Sequence, residues 1–241
     1  MDKLKLFFEG ENCGPVADLL NRYFEVEFDK NALLCVEEGI LKWKEDKRST
    51  FFDWVKDFQL VSRQKRNPKD LLFKAVSGKK HKVNTVLDAT LGTGKDAMLL
   101  LSYGLRVKAV ERHPEVFALC LDAWRRLIDA FPELKDRFEI FYADSLELKD
   151  SFYQGVDLIY FDPMFPKPER KKTALPRKEM NFFRGLVGKD EDSDQFLEKF
   201  SRSEVKKILV KRHPKSPYLS GRKPSQSYEG KTVRYDLYLN N

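Results

Sequence analysis

Asp162-Pro163-Met164-Phe165-Pro166 puts an acid, a proline-stiffened turn and an aromatic face at the end of a strand-like run. Roughly 70 residues upstream, Val86-Leu87-Asp88-Ala89-Thr90-Leu91-Gly92-Thr93-Gly94 carries a buried-strand pattern into a glycine turn. An aromatic exocyclic amine is a poor nucleophile because its lone pair is delocalised into the ring. Its attack on a sulfonium methyl needs the nitrogen held at about 3–3.5 Å with its N–H groups directed at acceptors. Asp162 can accept one N–H, and the Pro163 carbonyl can accept another. Phe165 offers a face for stacking, worth about 1–3 kcal/mol. The glycine segment has the form in which nucleotide-type cofactor sites begin. Together the segments point to methyl transfer from S-adenosylmethionine (SAM) to the amino group of a nucleobase. The sulfonium is already activated, so this chemistry needs neither a deep general base nor a metal.

The elements that must position these groups alternate along the chain. Val83–Asp88 reads as a strand, Lys95–Tyr103 as a helix ending at Gly104, and Arg106–Glu111 as a second strand. Pro114–Ala130 is a long helix with Val116, Ala118, Leu119, Ala123 and Leu127 at helical spacing. Phe138–Tyr142, Val156–Phe161 and Lys207–Lys211 are further strands, and a helix is expected near Ser193–Ser201. Pro214–Gln226 reads as a loop. Thr232–Leu239 reads as an antiparallel strand closing the sheet. This is the pattern of an α/β, Rossmann-like, doubly wound and mostly parallel sheet. It occupies residues 81–241, preceded by a small α/β annex over residues 1–80. In the annex, Leu4–Phe8, Phe24–Glu27, Leu33–Glu37 and Leu41–Lys44 are strand-like, and Val16–Tyr23 is a brief helix. Phe51–Leu60 is aromatic-rich and ambiguous. Asn67 and Pro68 read as N-cap and first residue of a helix running to Val76 and stopping near Gly78.

Ligands in open α/β sheets bind past the carboxyl ends of the strands. Acids stand at four successive strand ends: Asp88, Glu111, Asp144 (followed by Ser145) and Asp162. Gly92 and Gly94 let the backbone approach a ligand, and the helix starting at Lys95 offers free N–H groups. Glu111 can accept from two ribose hydroxyls, and Asp144-Ser145 can receive an adenine amino group. The glycines alone also fit a nicotinamide dinucleotide pattern, but that leaves Asp-Pro-Met-Phe-Pro without a purpose. A P-loop is disfavoured because Asp96, not Ser or Thr, follows Lys95, and Ala89 occupies the first glycine position.

The 241 residues carry a net charge of +7, with 41% hydrophobic and 34% charged residues, as in a globular protein with a charged surface. The positive charge is uneven. Residues 85–162 hold 9 Lys/Arg against 14 Asp/Glu, whereas residues 163–241 hold 19 against 10. Excess positive charge directly after the acceptor motif suits a polyanion. Lys167, Arg170, Lys171, Lys172, Arg177 and Lys178 form one group, and Lys211 and Arg212, with Lys215, Arg222 and Lys223, a second. Phosphate contacts of this kind set register and salt dependence rather than sequence choice. His213 reads as a surface residue beside RNA-binding lysines; Phe182, Phe183 and Tyr218 could stack on bases but read first as core or loop packing. No run approaches the ~18 apolar residues of a membrane span. The N-terminal residues lack a signal-peptide pattern, and Cys13, Cys35 and Cys120 have no metal-ligand spacing, so the reading is cytoplasmic with no metal.

At these residues the chain resembles class I SAM-dependent methyltransferases, Asp162-Pro163-Met164-Phe165-Pro166 being a variant of the Asp-Pro-Pro-Tyr type motif. It resembles more closely the RsmJ-type bacterial small-subunit ribosomal RNA guanine-N2 methyltransferases. The likeness rests on Leu87–Ala97, Val110–Pro114, Tyr160–Pro166, Lys171–Leu175, Arg177–Met180, Leu186–Gly188, Val210–Arg212 and Arg234–Tyr238. It implies a methyl acceptor at N2 of one guanine near the 3′ end of 16S ribosomal RNA, as free RNA or in the small ribosomal subunit. It also implies that Lys95, Asp96, Glu111, Arg112, Asp144, Ser145 and Asp162 line the cofactor pocket. Arg63–Lys69 stands where that family tends to have a glycine-rich run, and Thr90 where most class I enzymes have their first glycine. The alternatives are methylation of adenine N6 or cytosine N4, whose amines the same motif serves, and a non-catalytic RNA-binding assembly factor.

Overall fold

The computed structural model describes residues 1–10, 13–45, 48–63, 70–77, 82–163 and 193–240. Its contacts divide into two units, one formed by residues 1–67 and 84–147, the other by 68–83 and 148–241.

The first unit contains two sets of strands. β1 (Asp2–Glu9) pairs in parallel with β2 (Phe24–Phe28) and β3 (Leu34–Glu37), and α1 (Gly14–Leu20) connects β1 to β2. β3 turns through Glu38 and Gly39, both at positive φ, into antiparallel β4 (Ile40–Glu45), which pairs with β5 (Arg48–Thr50). Two consecutive positive-φ residues match the right-handed twist of the hairpin arms. The Phe51–Leu60 stretch resolves as α2 (Trp54–Arg63), which buries Trp54 and Phe58. The second set is β6 (Thr85–Asp88), β7 (Arg106–Glu111) and β8 (Phe138–Tyr142), all parallel, with α4 (Lys95–Ser102) and α5 (Pro114–Ala130) as crossovers. Val116, Ala118, Leu119, Ala123 and Leu127 are all buried on α5, as their spacing anticipates. The same face carries Asp122, which is fully buried. Its carboxylate accepts from Arg125 at 2.8 Å, Arg126 at 3.0 Å and the Leu41 amide at 3.2 Å. The two guanidiniums continue to the carbonyls of Gly39 and Phe52. A buried carboxylate persists only when so compensated, and this one ties the β3–β4 hairpin and the start of α2 to α5.

The second unit contains α3 (Leu71–Val76), β9 (Leu158–Phe161), α6 (Ser193–Ser201), β10 (Lys207–Arg212), β11 (Gln226–Glu229) and β12 (Arg234–Leu239). β9 and β10 are parallel, while β12 runs antiparallel to both β10 and β11. β12 was expected to close the sheet, but β11, in a stretch that reads partly as loop, lies outside it. Within the second unit the strand order is β11-β12-β10-β9, and within the first the orders are β6-β7-β8 and, in the five-stranded sheet, β2-β1-β3-β4-β5. Among the described residues no helix is long and apolar enough to cross a membrane.

One start signal is corrected. α3 begins at Leu71 with Asp70 as its cap, whereas the sequence suggested Asn67 followed by Pro68; those two lie outside the described residues. Asp70 has extended backbone (φ −61°, ψ 123°), and its carboxylate accepts from the amides of Leu72 at 2.9 Å and Phe73 at 3.2 Å. An aspartate satisfies these amides as well as asparagine does and adds its charge to the positive helix end. Asp70→Ala should cost about 1 kcal/mol, read as a lower urea midpoint; an unchanged midpoint would show that the Asp70 carboxylate does not stabilise the start of α3.

Candidate cofactor and acceptor site

In the first unit the strand-end acids gather around one glycine turn. Asp88 closes β6 and is almost wholly buried, its carboxylate accepting from the Thr90 amide at 3.1 Å. The chain then turns through Gly92 (φ 52°) and Gly94 (φ 75°) into α4. The Leu91 amide donates to the Val110 carbonyl at 3.0 Å, fastening the turn to the end of β7. Glu111 reinforces this: one carboxylate oxygen accepts from the Gly92 amide at 3.0 Å, the other from the His113 amide at 2.8 Å. On the other side, the Cys120 thiol of α5 donates to the Gly92 carbonyl at 3.2 Å. Burial, aided by the charges of Glu111 and Asp88, pushes this thiol well above its usual range and keeps it a protonated donor. Asp144 follows β8. It accepts from the Leu146 amide at 2.8 Å and pairs with Arg112 at 3.3 Å, and Ser145 beside it is buried. Lys95 is exposed and Asp96 half-buried in the first turn of α4, where an acid suits the positive helix end.

Trp54 was not singled out from the sequence. It is fully buried, and its indole N–H donates to the Thr93 carbonyl at 2.7 Å. An added Cβ at Gly94 would lie 2.5 Å from the indole ring. The turn is therefore backed by a side chain from α2. A lone tryptophan in an aromatic-rich segment gave no sign of this; only a helical reading of Phe51–Leu60 would have raised it.

In the second unit Asp162 follows β9, half-exposed, with Pro163 buried after it. Its carboxylate forms an ion pair with Lys211 at 2.8 Å. Register explains the contact: Phe161 pairs with Val210 in the parallel β9–β10 ladder, so the next residue of each strand is Asp162 and Lys211. Arg212 is buried and donates to the Pro217 carbonyl at 2.6 Å, fixing the loop that follows β10. His213 accepts the Lys215 amide at 3.2 Å through its Nδ1. Met164, Phe165, Pro166, Lys167, Arg170, Lys171, Lys172, Arg177, Lys178, Phe182 and Phe183 lie outside the described residues. Among the described residues no group of three or more His, Cys, Asp and Glu could hold a metal.

The donor set fits SAM. The cofactor's ribose hydroxyls, amino-acid ammonium and adenine amine are all hydrogen-bond donors. Acids at the ends of β6, β7 and β8 provide matching acceptors around a turn whose backbone a ligand can approach closely.

Comparison with known proteins agrees. A family model for SAM-dependent methyltransferases matches residues 20–240. Ribosomal RNA small subunit methyltransferase J of Hahella chejuensis is 37% identical over 205 residues, covering 83% of this chain and 76% of that protein. Its namesake in Alteromonas mediterranea is 40% identical over 172 residues, covering 71% of this chain and 66% of that protein, just under two thirds of its length. A SAM-dependent methyltransferase structure from Neisseria gonorrhoeae superposes with a TM-score of 0.75 at 28% identity, over 98% of this chain and 96% of that one. With the strand-end acids, the glycine turn and a match over nearly its whole length, the chain belongs to the family of SAM-dependent methyltransferases, among the relatives of ribosomal RNA small subunit methyltransferase J.

Proposed function

We propose that the chain transfers a methyl group from SAM to the exocyclic N2 of one guanine in 16S ribosomal RNA. The observation that carries this reading is Asp162 at the end of β9, followed by Pro163 and paired with Lys211. The names of the relatives support ribosomal RNA as the acceptor molecule. Bound SAM supplies an electrophilic sulfonium methyl. Glu111 would hold its ribose, Asp144 and Ser145 its adenine amine, and Asp88 with Gly92 and Gly94 the amino-acid end. Lys95, Asp96 and Arg112 would complete the lining.

Asp162 accepts one N–H of the acceptor amine, and the Pro163 carbonyl accepts another. These two bonds fix the nitrogen and stabilise the positive charge that develops on it. Phe165 would stack on the base. The proton leaves as that charge develops, so His213 has no assigned part. Lys167, Arg170, Lys171, Lys172, Arg177 and Lys178, with exposed Lys215, Arg222 and Lys223, would hold phosphates. A guanine amine inside a duplex is out of reach, so the target base must come from a loop or be extruded. The same reading keeps residues 1–80 as an annex to a methyltransferase domain of residues 81–241, acting in the cytoplasm on free RNA or the small subunit.

The test is tritium transfer from labelled SAM to 16S RNA and to assembled small subunits, followed by nucleoside analysis. Label in N2-methylguanosine is the expected result. Methyladenosine or methylcytidine would move the acceptor, and SAM binding without transfer to either RNA form would sink the ribosomal assignment.

A further inference from the structure

We infer that Lys211 is a specificity-determining residue that reads O6 of the target guanine, in concert with Asp162; the inference rests on the guanine-N2 reading above. Three features single out Lys211. It sits one position past the paired residue Val210, so the β9–β10 ladder itself aligns it with Asp162. Its ammonium lies 2.8 Å from the Asp162 carboxylate. Its strand end is anchored. Arg212 donates to the Pro217 carbonyl at 2.6 Å. Arg234, in a buried ion pair with Asp236, donates to the carbonyls of Pro214 at 2.7 Å and Ser216 at 3.1 Å. The backbone on the C-terminal side of Lys211 is thus held at three carbonyls by two buried guanidiniums, whereas a purely electrostatic phosphate contact needs no such fixing. The side chains of Lys211 and Asp162 are 28% and 36% exposed, so the pair can meet a ligand.

The Watson–Crick edge of guanine presents, in line, the O6 acceptor, the N1–H donor and the N2–H donor. The complementary edge is one donor followed by two acceptors. An ammonium beside the two oxygens of one carboxylate has that order. Adenine presents a donor and then a bare acceptor nitrogen, and cytosine a donor and then two acceptors. Either base would set a ring lone pair against a carboxylate oxygen or leave the ammonium facing an N–H group. A polar site discriminates most strongly where the wrong ligand leaves its charged groups unmatched. The Asp-Pro motif serves three kinds of amine, so its neighbour on β10 is what narrows the choice here.

The test uses small subunits reconstituted with 6-thioguanosine at the guanine that receives label. Sulfur, a weaker acceptor than oxygen, replaces O6, while N1–H and the N2 amine stay. For the wild type, kcat/KM should fall about tenfold on this change. Lys211→Met should methylate guanine more slowly but give a guanine-to-thioguanine ratio near one. Lys211→Arg, which keeps a donor and so controls for misfolding, should restore the wild-type ratio. An unchanged ratio in Lys211→Met, with KM raised equally for both acceptors, would make Lys211 a phosphate contact and overturn the inference. So would a wild type insensitive to the sulfur. Absence of N2-methylguanosine in the wild-type product would instead remove the acceptor assignment on which the inference stands, an outcome separate from either.

Discussion

Asp162→Asn is expected to lower kcat for methyl transfer by about 10²–10³-fold, with the loss falling on turnover more than on SAM affinity. The substitution conserves shape, so the turn into Pro163 and the β9 ladder need not move. It changes the acceptor inventory: a carboxylate offers two oxygens, an amide one oxygen and a competing NH₂. The acceptor amine becomes most electron-poor in the transition state, when its nitrogen acquires positive charge. A full negative charge on Asp162 matters most then, which is why the effect belongs in kcat. The residues expected to hold SAM, other than Asp162 itself, lie in the first unit with partners of their own, such as the Glu111 bonds to the amides of Gly92 and His113. SAM affinity measured by calorimetry, alongside single-turnover tritium transfer, separates the two effects. Activity within about threefold of wild type would mean that Asp162 is a structural turn acid and that the amine finds its acceptors elsewhere.

How far the sequence reaches can be judged from individual elements. The bounds of β7, α5, β8 and α6 coincide with those read from periodicity and punctuation, because Gly104, Pro114 and the strongly apolar stripe of α5 leave little choice. β5 and β11 escaped for a common reason. Each is a short polar edge strand identified by its pairing, and Gln226–Glu229 lies against β12 without an apolar alternation of its own. Phe51–Leu60 stayed ambiguous since aromatics suit strands in isolation; burial of Trp54 and Phe58 against tertiary partners makes it a helix. The acids were legible because each closes a strand whose pattern was itself legible. Lys211 was legible only as one basic residue in a cluster. Its partnership with Asp162 is a property of the β9–β10 register, which no single strand encodes. Arg212 likewise read as part of the same basic group, yet it is buried as a loop anchor.

Gly94→Ala should destabilise the protein by about 2–5 kcal/mol, the sum of two separate penalties, and weaken SAM binding with it. Gly94 is at φ 75° and ψ 5°, the left-handed region, which costs an L-residue about 1–2 kcal/mol. The rest is steric. The new methyl carbon would sit 2.5 Å from Cε2 and Cζ2 of Trp54 and 2.6 Å from Nε1. The indole cannot simply swing away, because it is fully buried, packs against Phe138 with ring centroids 5.4 Å apart, and donates to the Thr93 carbonyl. Relief must therefore come from the turn, and moving it breaks bonds at both ends. The Gly94 amide donates to Leu91 at 2.8 Å, and the Gly94 carbonyl accepts the Met98 amide at 3.0 Å in the first turn of α4. The helix end that should face the cofactor moves with them. A Trp54→Phe background separates the two penalties, since the smaller ring relieves the clash and leaves the φ cost. In that background Gly94→Ala should cost only about 1–2 kcal/mol, measured by urea unfolding of all four proteins with SAM affinity followed in parallel. Equal costs in both backgrounds would show that Trp54 does not buttress the turn, and that the N-terminal segment supports the cofactor site by some other contact.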